Sequence, residues 1–549
     1  MTTTGTESLH PVPSSAAGQT PSEPGLPVRV PHHIDEIGQI GPSPVVMHGT
    51  RGAYLAQGVL FHDEVKQVPV LKNLPVILQI HADPLDSSSE YIRVYARIVD
   101  AAVDSVSTIE RQARNQPYLQ ATFELVREAM PARSGVVIQP WTPKTMGGYR
   151  VRWPRAQDLE LMGYARQGVG LGWQNSGTAN LPYLLPVEAL YRSLFVVGGM
   201  GGGKTNLIST LARSVANRPV TEYAGHRRPA IVILDAEGRR EYNDLGRDIP
   251  AHLRSKVEDA GFAPHAVRDF HYFKIGPGEH SFLLRDLTPG DTAIFPATLP
   301  AKSERSWKVG SEAYWRRAQS GGHPVVASEF CSGMATAAMP LGLNGAMRSA
   351  LLRAAQDSCW DAFDIPNATP LGLSDLLVPG RVSVVDVSRL EGLDRQRAAG
   401  LALLTIFDIA KRTEPQNPCP ILLVIDEATR LVPSSFAGMS GREYSEKMGN
   451  WLRDILHRGR RAGYGLVIAT QYPDDVLEGL ADQPQTKICF ELPPRYDRWV
   501  NSNFESAAGE KLRAIGAVGV GYISRSSRVD GDPVGASHPP TLVRFPQVR

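Results

Sequence analysis

The chain has 549 residues, which exceeds one ordinary domain and predicts about two to four. Apolar residues make up 42% and charged residues 21%, as in a globular protein. The formal charge of +2 excludes a uniformly polycationic nucleic-acid binder, so any basic surface must be local. The four cysteines form no C-x-x-C pair, and neither a disulfide framework nor a zinc cluster is predicted.

The first 32 residues are rich in Thr, Ser, Pro and Gly, a composition that predicts a disordered tail. This segment has neither the basic region nor the apolar core of a signal peptide. No run in the chain approaches the ~20 apolar residues that span a bilayer. We therefore expect a cytoplasmic protein without a membrane segment.

Residues 33–105 contain short runs of β-branched residues separated by Gly, Pro, Asn and Asp. The alternation of Ile92, Val94, Ala96 and Ile98 predicts a strand with one buried face. Such strands close most simply into a small antiparallel β-barrel. Residues 106–180 have no sustained pattern and predict a connector, in which residues 121–127 are one possible further strand.

A glycine-rich loop follows the apolar run at 194–197 and precedes a helix-compatible segment. It fits the pattern G-x-x-x-x-G-K-[ST], in which glycines let backbone N–H groups surround phosphate and the helix N-terminus faces the same anion. In this pattern Lys204 reaches the β- and γ-phosphates, and Thr205 offers its hydroxyl to Mg²⁺. The residues predicted to bind ATP are Gly198, Gly199, Met200, Gly201, Gly202, Gly203, Lys204, Thr205 and Asn206.

The remaining chain alternates apolar strands and helices, which predicts an α/β fold with a RecA-like P-loop core over residues 181–238 and 380–525. Residues 239–379 lose this regularity and predict a helical insertion. Residues 526–549 predict a C-terminal arm, although their apolar part also fits a terminal strand.

Two acids, Asp426 and Glu427, end the continuous apolar run that begins at residue 420. An acid at this position can hold Mg²⁺, and its neighbour can polarise the attacking water. Gln471 ends the next apolar run, where its amide can contact the γ-phosphate or the water. Asp235 and Glu237 end an earlier strand, and the sequence leaves open whether they assist the site or only begin a loop.

A basic cluster that includes Arg460 and Arg461 ends a helix-period segment after residue 448. Arginines at a helix C-terminus suit the helix dipole. They can also reach into a neighbouring subunit and offset transition-state charge at its ATP. Both interpretations stay open from the residues alone, with Arg460 and Arg461 ahead of Arg458 for the second.

The ordered series of these motifs resembles that of the HerA-type ATPases, in the HerA/FtsK branch of RecA-like P-loop motors. The resemblance covers residues 181–549, and it extends more weakly to the N-terminal barrel, similar to the HAS barrel of that family. The family's usual Gly-x-Thr-Gly-Ser-Gly-Lys differs here at Met200 and Gly202, and its Gly-Arg-Lys segment reads Gly-Arg-Arg, with Arg461 in place of lysine.

The resemblance implies a homohexamer with ATP and Mg²⁺ at subunit interfaces and double-stranded DNA in a central channel. It implies that Lys204, Thr205, Asp426 and Glu427 bind nucleotide and metal and that Gln471 is the sensor. Arg460 is the first choice for the interface arginine. The implied function is a DNA translocase or helicase that acts with a nuclease or effector enzyme in DNA repair or antiphage defence. The alternatives are a hexameric scaffold that activates an effector and a secretion or conjugation ATPase.

Overall fold

A computed structural model of the protein describes much of the chain. The described residues are 36–40, 47–48, 54–61, 65, 75–81, 91–101, 118–132, 135–140, 149–155, 158, 161–162, 168–176, 179–218, 228–259, 262, 264–294, 301–337, 345–356, 360–413, 419–434, 442–477, 479–504, 507–525 and 538–546. The chain divides into two compact units, residues 1–153 and 154–549. The tail predicted for residues 1–32 lies outside the described residues.

The first unit is an antiparallel β-sheet that closes on itself. Its strands are β1 (Glu36–Ile40), β2 (Met47–His48), β3 (Tyr54–Phe61), β4 (Pro75–His81), β5 (Tyr91–Ala101), β6 (Tyr118–Ala132), β7 (Gly135–Pro140) and β8 (Arg150–Arg152). Six of them form a closed barrel in the order β3-β1-β8-β4-β5-β6, because β6 also pairs with β3. Phe123, Leu60 and Val94 are fully buried in its interior, and the predicted barrel is confirmed.

The barrel is longer in sequence than the predicted range 33–105. Strands β6 to β8 fall in the predicted connector yet complete the barrel sheet. The alternation that marks β6 as a strand is interrupted by Arg127 and Glu128, which are both buried. These two charged residues hide the second half of the strand from a hydrophobicity pattern, so β6, β7 and β8 lie where the sequence predicted a connector.

The second unit contains an eleven-stranded sheet in the order β10-β9-β21-β20-β19-β11-β18-β17-β12-β16-β13. The strands of this unit are β9 (Val169–Ser176), β10 (Ala179–Leu185), β11 (Leu194–Val197), β12 (Ala230–Asp235), β13 (Phe270–Lys274), β14 (His280–Ser281), β15 (Thr369–Pro370), β16 (Val382–Asp386), β17 (Ile421–Asp426), β18 (Tyr464–Thr470), β19 (Thr486–Cys489), β20 (Val520–Arg525) and β21 (His538–Arg544). The seven strands from β19 to β13 run parallel. Strands β12, β16, β17 and β18 are buried along their whole length, which explains their continuous apolar runs.

Helices of the second unit surround this sheet or lie in the insertion. They are α1 (Val187–Leu190), α2 (Lys204–Asn217), α3 (Ala251–Asp259), α4 (Ala301–Gly321), α5 (Ala327–Ala337), α6 (Gly345–Gln356), α7 (Leu373–Leu376), α8 (Leu393–Thr413), α9 (Ala428–Leu431), α10 (Arg442–Ala462), α11 (Asp497–Asn503) and α12 (Ala508–Ile515). Shorter 3-10 turns lie at Arg240–Gly246, Leu284–Asp286, Asp291–Ile294, Pro473–Asp475 and Pro494–Tyr496. None of the helices among the described residues is both long and apolar enough to cross a bilayer.

The predicted α/β P-loop core with a helical insertion is confirmed, with two differences at its edges. Helices α4, α5 and α6 make the insertion helical, and Trp307 and Phe330 are buried within it. Strand β13, however, joins the main sheet beside β16. As an edge strand it is only half-buried and lacks a continuous apolar run, so the sequence pattern did not mark it. The predicted C-terminal arm contains β21, which pairs with β20 and β9 in the sheet.

Candidate nucleotide site

The phosphate-binding loop lies between β11 and α2 at the carboxyl end of the parallel sheet. Gly201 and Gly203 have φ angles of 75° and 116°, a region that favours glycine. A Cβ at Gly198 would lie 2.6 Å from Cβ of Phe490, so the loop also needs glycine where it packs on β19. Met200, at the tip, is 88% exposed. The glycines therefore serve both the curvature of the loop and its close approach to the sheet.

Lys204 is held across the loop by the loop's own backbone. Its Nζ donates to the carbonyl oxygen of Gly198 at 2.7 Å and to that of Gly199 at 3.3 Å. Burial lowers the pKa of Lys204, while the carboxylates of Glu427 and Asp426 act in the opposite direction. The ammonium group is thus buried, close to two acids and bonded to neutral carbonyl groups that an anion can replace.

Asn206 points toward the C-terminal strand. Its amide donates to the carbonyl oxygen of Pro546 at 2.5 Å, just after β21. The peptide nitrogen of Gly519 donates to the carbonyl oxygen of Gly202 at 3.3 Å, and that of Phe545 donates to Gly519 at 2.7 Å. Segments from the far end of the chain therefore brace the phosphate-binding loop, which the sequence did not predict.

Asp426 and Glu427 end β17 beside the loop. Oδ2 of Asp426 accepts a hydrogen bond from the hydroxyl of Tyr242 at 2.6 Å, and Oδ1 is buried with no hydrogen-bond partner among the described residues. Burial raises the pKa of Asp426, whereas the Arg239 guanidinium and the Tyr242 hydrogen bond lower it. A second buried acid follows directly, since Glu427 is 2% exposed.

The backbone of Glu427 is in the left-handed region, with φ 58° and ψ 63°. This conformation costs a residue with a side chain roughly 1–2 kcal/mol. Oε2 of Glu427 accepts a hydrogen bond from the Gln471 amide at 3.0 Å, and Oε1 accepts one from the Thr429 hydroxyl at 2.6 Å. The turn and these two donors aim the carboxylate, and they bring the predicted pair Glu427 and Gln471 into direct contact.

Arg239 lies at the centre of the site, although the sequence analysis did not select it. Its Nη1 donates to Oγ1 of Thr205 at 3.0 Å. Its Nε lies 3.0 Å from Oδ2 of Asp426, as an ion pair without hydrogen-bond alignment. Its Nη2 lies 2.6 Å from Oε2 of Glu237 and 3.7 Å from Oε2 of Glu427. The available signal was an arginine two positions after Glu237, in the loop that follows the strand-end acid Asp235.

Asp235 organises the loop that carries Arg239. Its two carboxylate oxygens accept hydrogen bonds from the backbone N–H groups of Glu237, Gly238 and Arg239, at 2.9, 3.0 and 2.6 Å. Glu237 also contacts Nε of Arg430 at 3.2 Å. The two acids whose role the sequence left open therefore position Arg239, Asp235 through the backbone and Glu237 through the side chain.

The predicted interface arginines cannot be compared with this site. Arg460 and Arg461 lie in the last turn of α10, and their side chains lie outside the described residues. Both roles stay predictions.

Thr205 and Asp426 fit a magnesium site, judged from the donors themselves. A threonine hydroxyl and a carboxylate converge on one cation, which here is the guanidinium of Arg239. Oδ1 of Asp426 is a buried acceptor that lacks a hydrogen-bond partner. Oxygen donors of this kind are those that Mg²⁺ prefers, usually together with substrate phosphates.

No protein-family model and no curated protein sequence matches the chain. Among solved structures it is similar to VirB4 of Thermoanaerobacter pseudethanolicus, with 16% identity over 69% of this chain and 96% of that one and a TM-score of 0.45. The plasmid coupling protein TrwB in complex with ADP and Mg²⁺ matches with 14% identity, 72% and 94% coverage and a TM-score of 0.46.

The genome packaging NTPase B204 from Sulfolobus turreted icosahedral virus 2, in complex with ATP-gammaS, matches with 13% identity, 64% and 98% coverage and a TM-score of 0.27. All three TM-scores are below 0.5.

The pH dependence of stability tests the environment of Asp235. Burial raises its pKa to about 6, against the backbone hydrogen bonds that lower it. The folded chain then binds an extra proton between pH ~4 and ~6, so this carboxyl makes the free energy of unfolding fall as pH rises. From pH 5 to 7.5 wild type should lose of order 1 kcal/mol relative to Asp235→Asn, which thermal unfolding at each pH measures.

Asp482→Asn, which changes an exposed acid in the same way, is the control and should follow wild type. If the free energy of unfolding changed with pH by the same amount in wild type and in Asp235→Asn across this range, the prediction would be wrong.

Proposed function

We propose that the chain is a magnesium-dependent P-loop ATPase that forms a homohexamer and moves double-stranded DNA through a central channel, as HerA-type motors do. The observation that carries the proposal is the convergence of Lys204, Thr205, Asp426, Glu427 and Gln471 at one edge of the parallel sheet. These side chains come from the carboxyl ends of two adjacent strands, β17 and β18, and from the helix after the loop. Together they supply what phosphoryl transfer to water needs, namely a phosphate cradle, metal ligands and a base.

The proposed chemistry begins with an exchange of partners at Lys204. ATP would place its phosphates among the backbone N–H groups of the loop, and the Lys204 ammonium would leave the two glycine carbonyls for the β- and γ-phosphate oxygens. Mg²⁺ bound through Thr205 and Asp426 would neutralise charge on the same oxygens. The loop N–H groups, the Lys204 ammonium and the N-terminus of α2 then bind the anion together.

Glu427 is the proposed general base. It accepts a proton from the attacking water, whose oxygen forms a bond to the γ-phosphorus while the bond from this phosphorus to the bridging oxygen breaks. ADP leaves with the bridging oxygen, and the products are ADP and phosphate. Gln471 and Thr429 hold the carboxylate in place through their hydrogen bonds. Arg460 or Arg461 of a neighbouring subunit would add positive charge at the transferring phosphoryl group.

The DNA-moving part of the proposal rests on the ordered motifs from Asp235 to Gln471. A nuclease or effector enzyme encoded nearby is the proposed partner, in DNA end processing or antiphage defence. An ATP-dependent scaffold that assembles an effector has the same ATPase site, and so does a conjugation or secretion ATPase. DNA dependence of turnover separates the first of these alternatives from the motor.

Glu427→Gln tests the base. Loss of the proton acceptor should lower ATP turnover by roughly 10²–10⁴-fold. Binding of a fluorescent ATP analogue should persist, because Lys204, Thr205 and the loop are unchanged. Turnover is followed by phosphate release and binding by equilibrium titration. Glu258→Gln, the same change at an exposed residue on α3, should retain wild-type turnover, and near-normal turnover in Glu427→Gln would refute the assignment.

The effect of duplex DNA on ATP turnover tests the proposed translocation activity. If hydrolysis drives translocation, ATP turnover by the purified full chain should rise several-fold with linear duplex DNA, and the hexamer should retain labelled duplex on a gel-filtration column. Equal turnover with and without DNA, combined with no retention of the duplex, would favour the scaffold. Glu427→Gln is the matched control, since it should retain DNA with bound ATP but show no DNA-stimulated phosphate release.

A further inference from the structure

The guanidinium of Arg239 bridges the two residues that fit a magnesium ion. Nη1 donates to the Thr205 hydroxyl at 3.0 Å, and Nε pairs with Oδ2 of Asp426 at 3.0 Å. One cation therefore already contacts the hydroxyl and the carboxylate between which the metal would be held. A metal ion held between the Thr205 hydroxyl and the Asp426 carboxylate would lie against this guanidinium, and two cations cannot occupy the same space between these groups.

Electrostatics explains why an arginine is stable at this position. Asp426 and Glu427 are 1% and 2% exposed, and two buried carboxylates without a cation are strongly unfavourable. Arg239 lies within ion-pair distance of both and of Glu237. All three of its nitrogens contact an oxygen of the site. Together with the nearby Lys204 ammonium, the arginine thus supplies positive charge that offsets the burial of these acids.

Arg239 also has a partner that is not one of the two proposed metal ligands. Its shortest carboxylate contact, 2.6 Å, is to Glu237, which is also held by Arg430. The side chains of Arg239 and Glu237 are 22% and 24% exposed, whereas that of Asp426 is 1% exposed. The guanidinium can therefore leave Thr205 and Asp426 toward solvent while it keeps Glu237 as a partner.

We infer that Arg239 competes with Mg²⁺ for Thr205 and Asp426, so that metal–nucleotide binding requires its displacement. The inference rests on the proposed function, since it concerns the metal of the proposed ATP site. Its consequence is a lowered apparent affinity for metal. If a ligand binds only those molecules in which the competing contact is open, its apparent association constant is the intrinsic constant multiplied by the fraction of open molecules. Arg239 is therefore a positioning residue that sets the Mg²⁺ concentration at which nucleotide is retained.

The test measures binding of fluorescent mant-ADP by the full chain as free Mg²⁺ is varied. Arg239→Gln removes the competing cation, and the Mg²⁺ concentration for half-maximal binding should fall about tenfold, as expected if the contact is closed in ~90% of molecules. Arg240→Gln is the matched control. It changes the adjacent, exposed arginine and the same net charge, and it should keep the wild-type midpoint.

Arg239→Lys is the second variant and is informative if Arg239→Gln does not fold. It keeps the positive charge, but its single nitrogen cannot bridge the hydroxyl and the carboxylate as the planar fork does, so its midpoint should also lie below that of wild type. A midpoint equal to or above wild type in the folded variants overturns the inference alone. A wild-type chain that binds no mant-ADP at any Mg²⁺ concentration overturns the proposed function itself.

Discussion

The parallel pairing of β11, β18, β17 and β12 is the constraint on which the site depends. All four strands run in one direction, so their carboxyl ends meet at one edge of the sheet. The register is close enough to place Val197 beside Thr470 and Asp235 beside Asp426. The phosphate-binding loop, Gln471 and Glu427 follow directly from these ends, and Arg239 lies four residues after the end of β12. The site is a consequence of strand order, although its residues span most of the second unit.

The same strand order places three acidic side chains close together in the interior, where burial of a charged carboxylate is unfavourable. Asp235, Asp386 and Asp426 lie side by side in register on β12, β16 and β17, and each is at most 4% exposed. Their burial is offset in different ways. Backbone N–H groups serve Asp235, a tyrosine hydroxyl and a backbone N–H serve Asp386, and a tyrosine hydroxyl with the Arg239 guanidinium serves Asp426. Asp426 is followed directly by a second buried carboxylate, Glu427, so a cation is favourable beside these two residues.

The sequence predicted the parts of this arrangement that leave a strong local pattern. Lys204 and Thr205 begin the helix after a loop in which two positive φ angles favour glycine, and Asp426 ends a strand that is buried along its whole length. These features depend on residue types at short spacing. The barrel was predicted for the same reason, because the alternation in β5 is local.

What the sequence did not predict depends on contacts between distant residues. Arg239 gains its role only when β12 and β17 pair, and Tyr242 only when its hydroxyl meets Asp426. Strand β13 is half-buried at a sheet edge, and β6 contains two adjacent buried charged residues, so neither strand has a full hydrophobic pattern. The left-handed turn at Glu427 has no residue signal at all, since glycine rather than glutamate favours that conformation.

In this structure Lys204, Arg239 and Glu427 each already contact another protein group. Lys204 donates to glycine carbonyl groups, Arg239 donates to Thr205 and forms an ion pair with Asp426, and Glu427 accepts a hydrogen bond from Gln471. In the proposed function nucleotide binding is therefore an exchange of partners, and its free energy is the difference between the new contacts and those given up. Such an exchange keeps buried charges compensated before and after ATP enters. Arg239 also connects Thr205 and Asp426, the proposed metal ligands, to the loop that Asp235 organises.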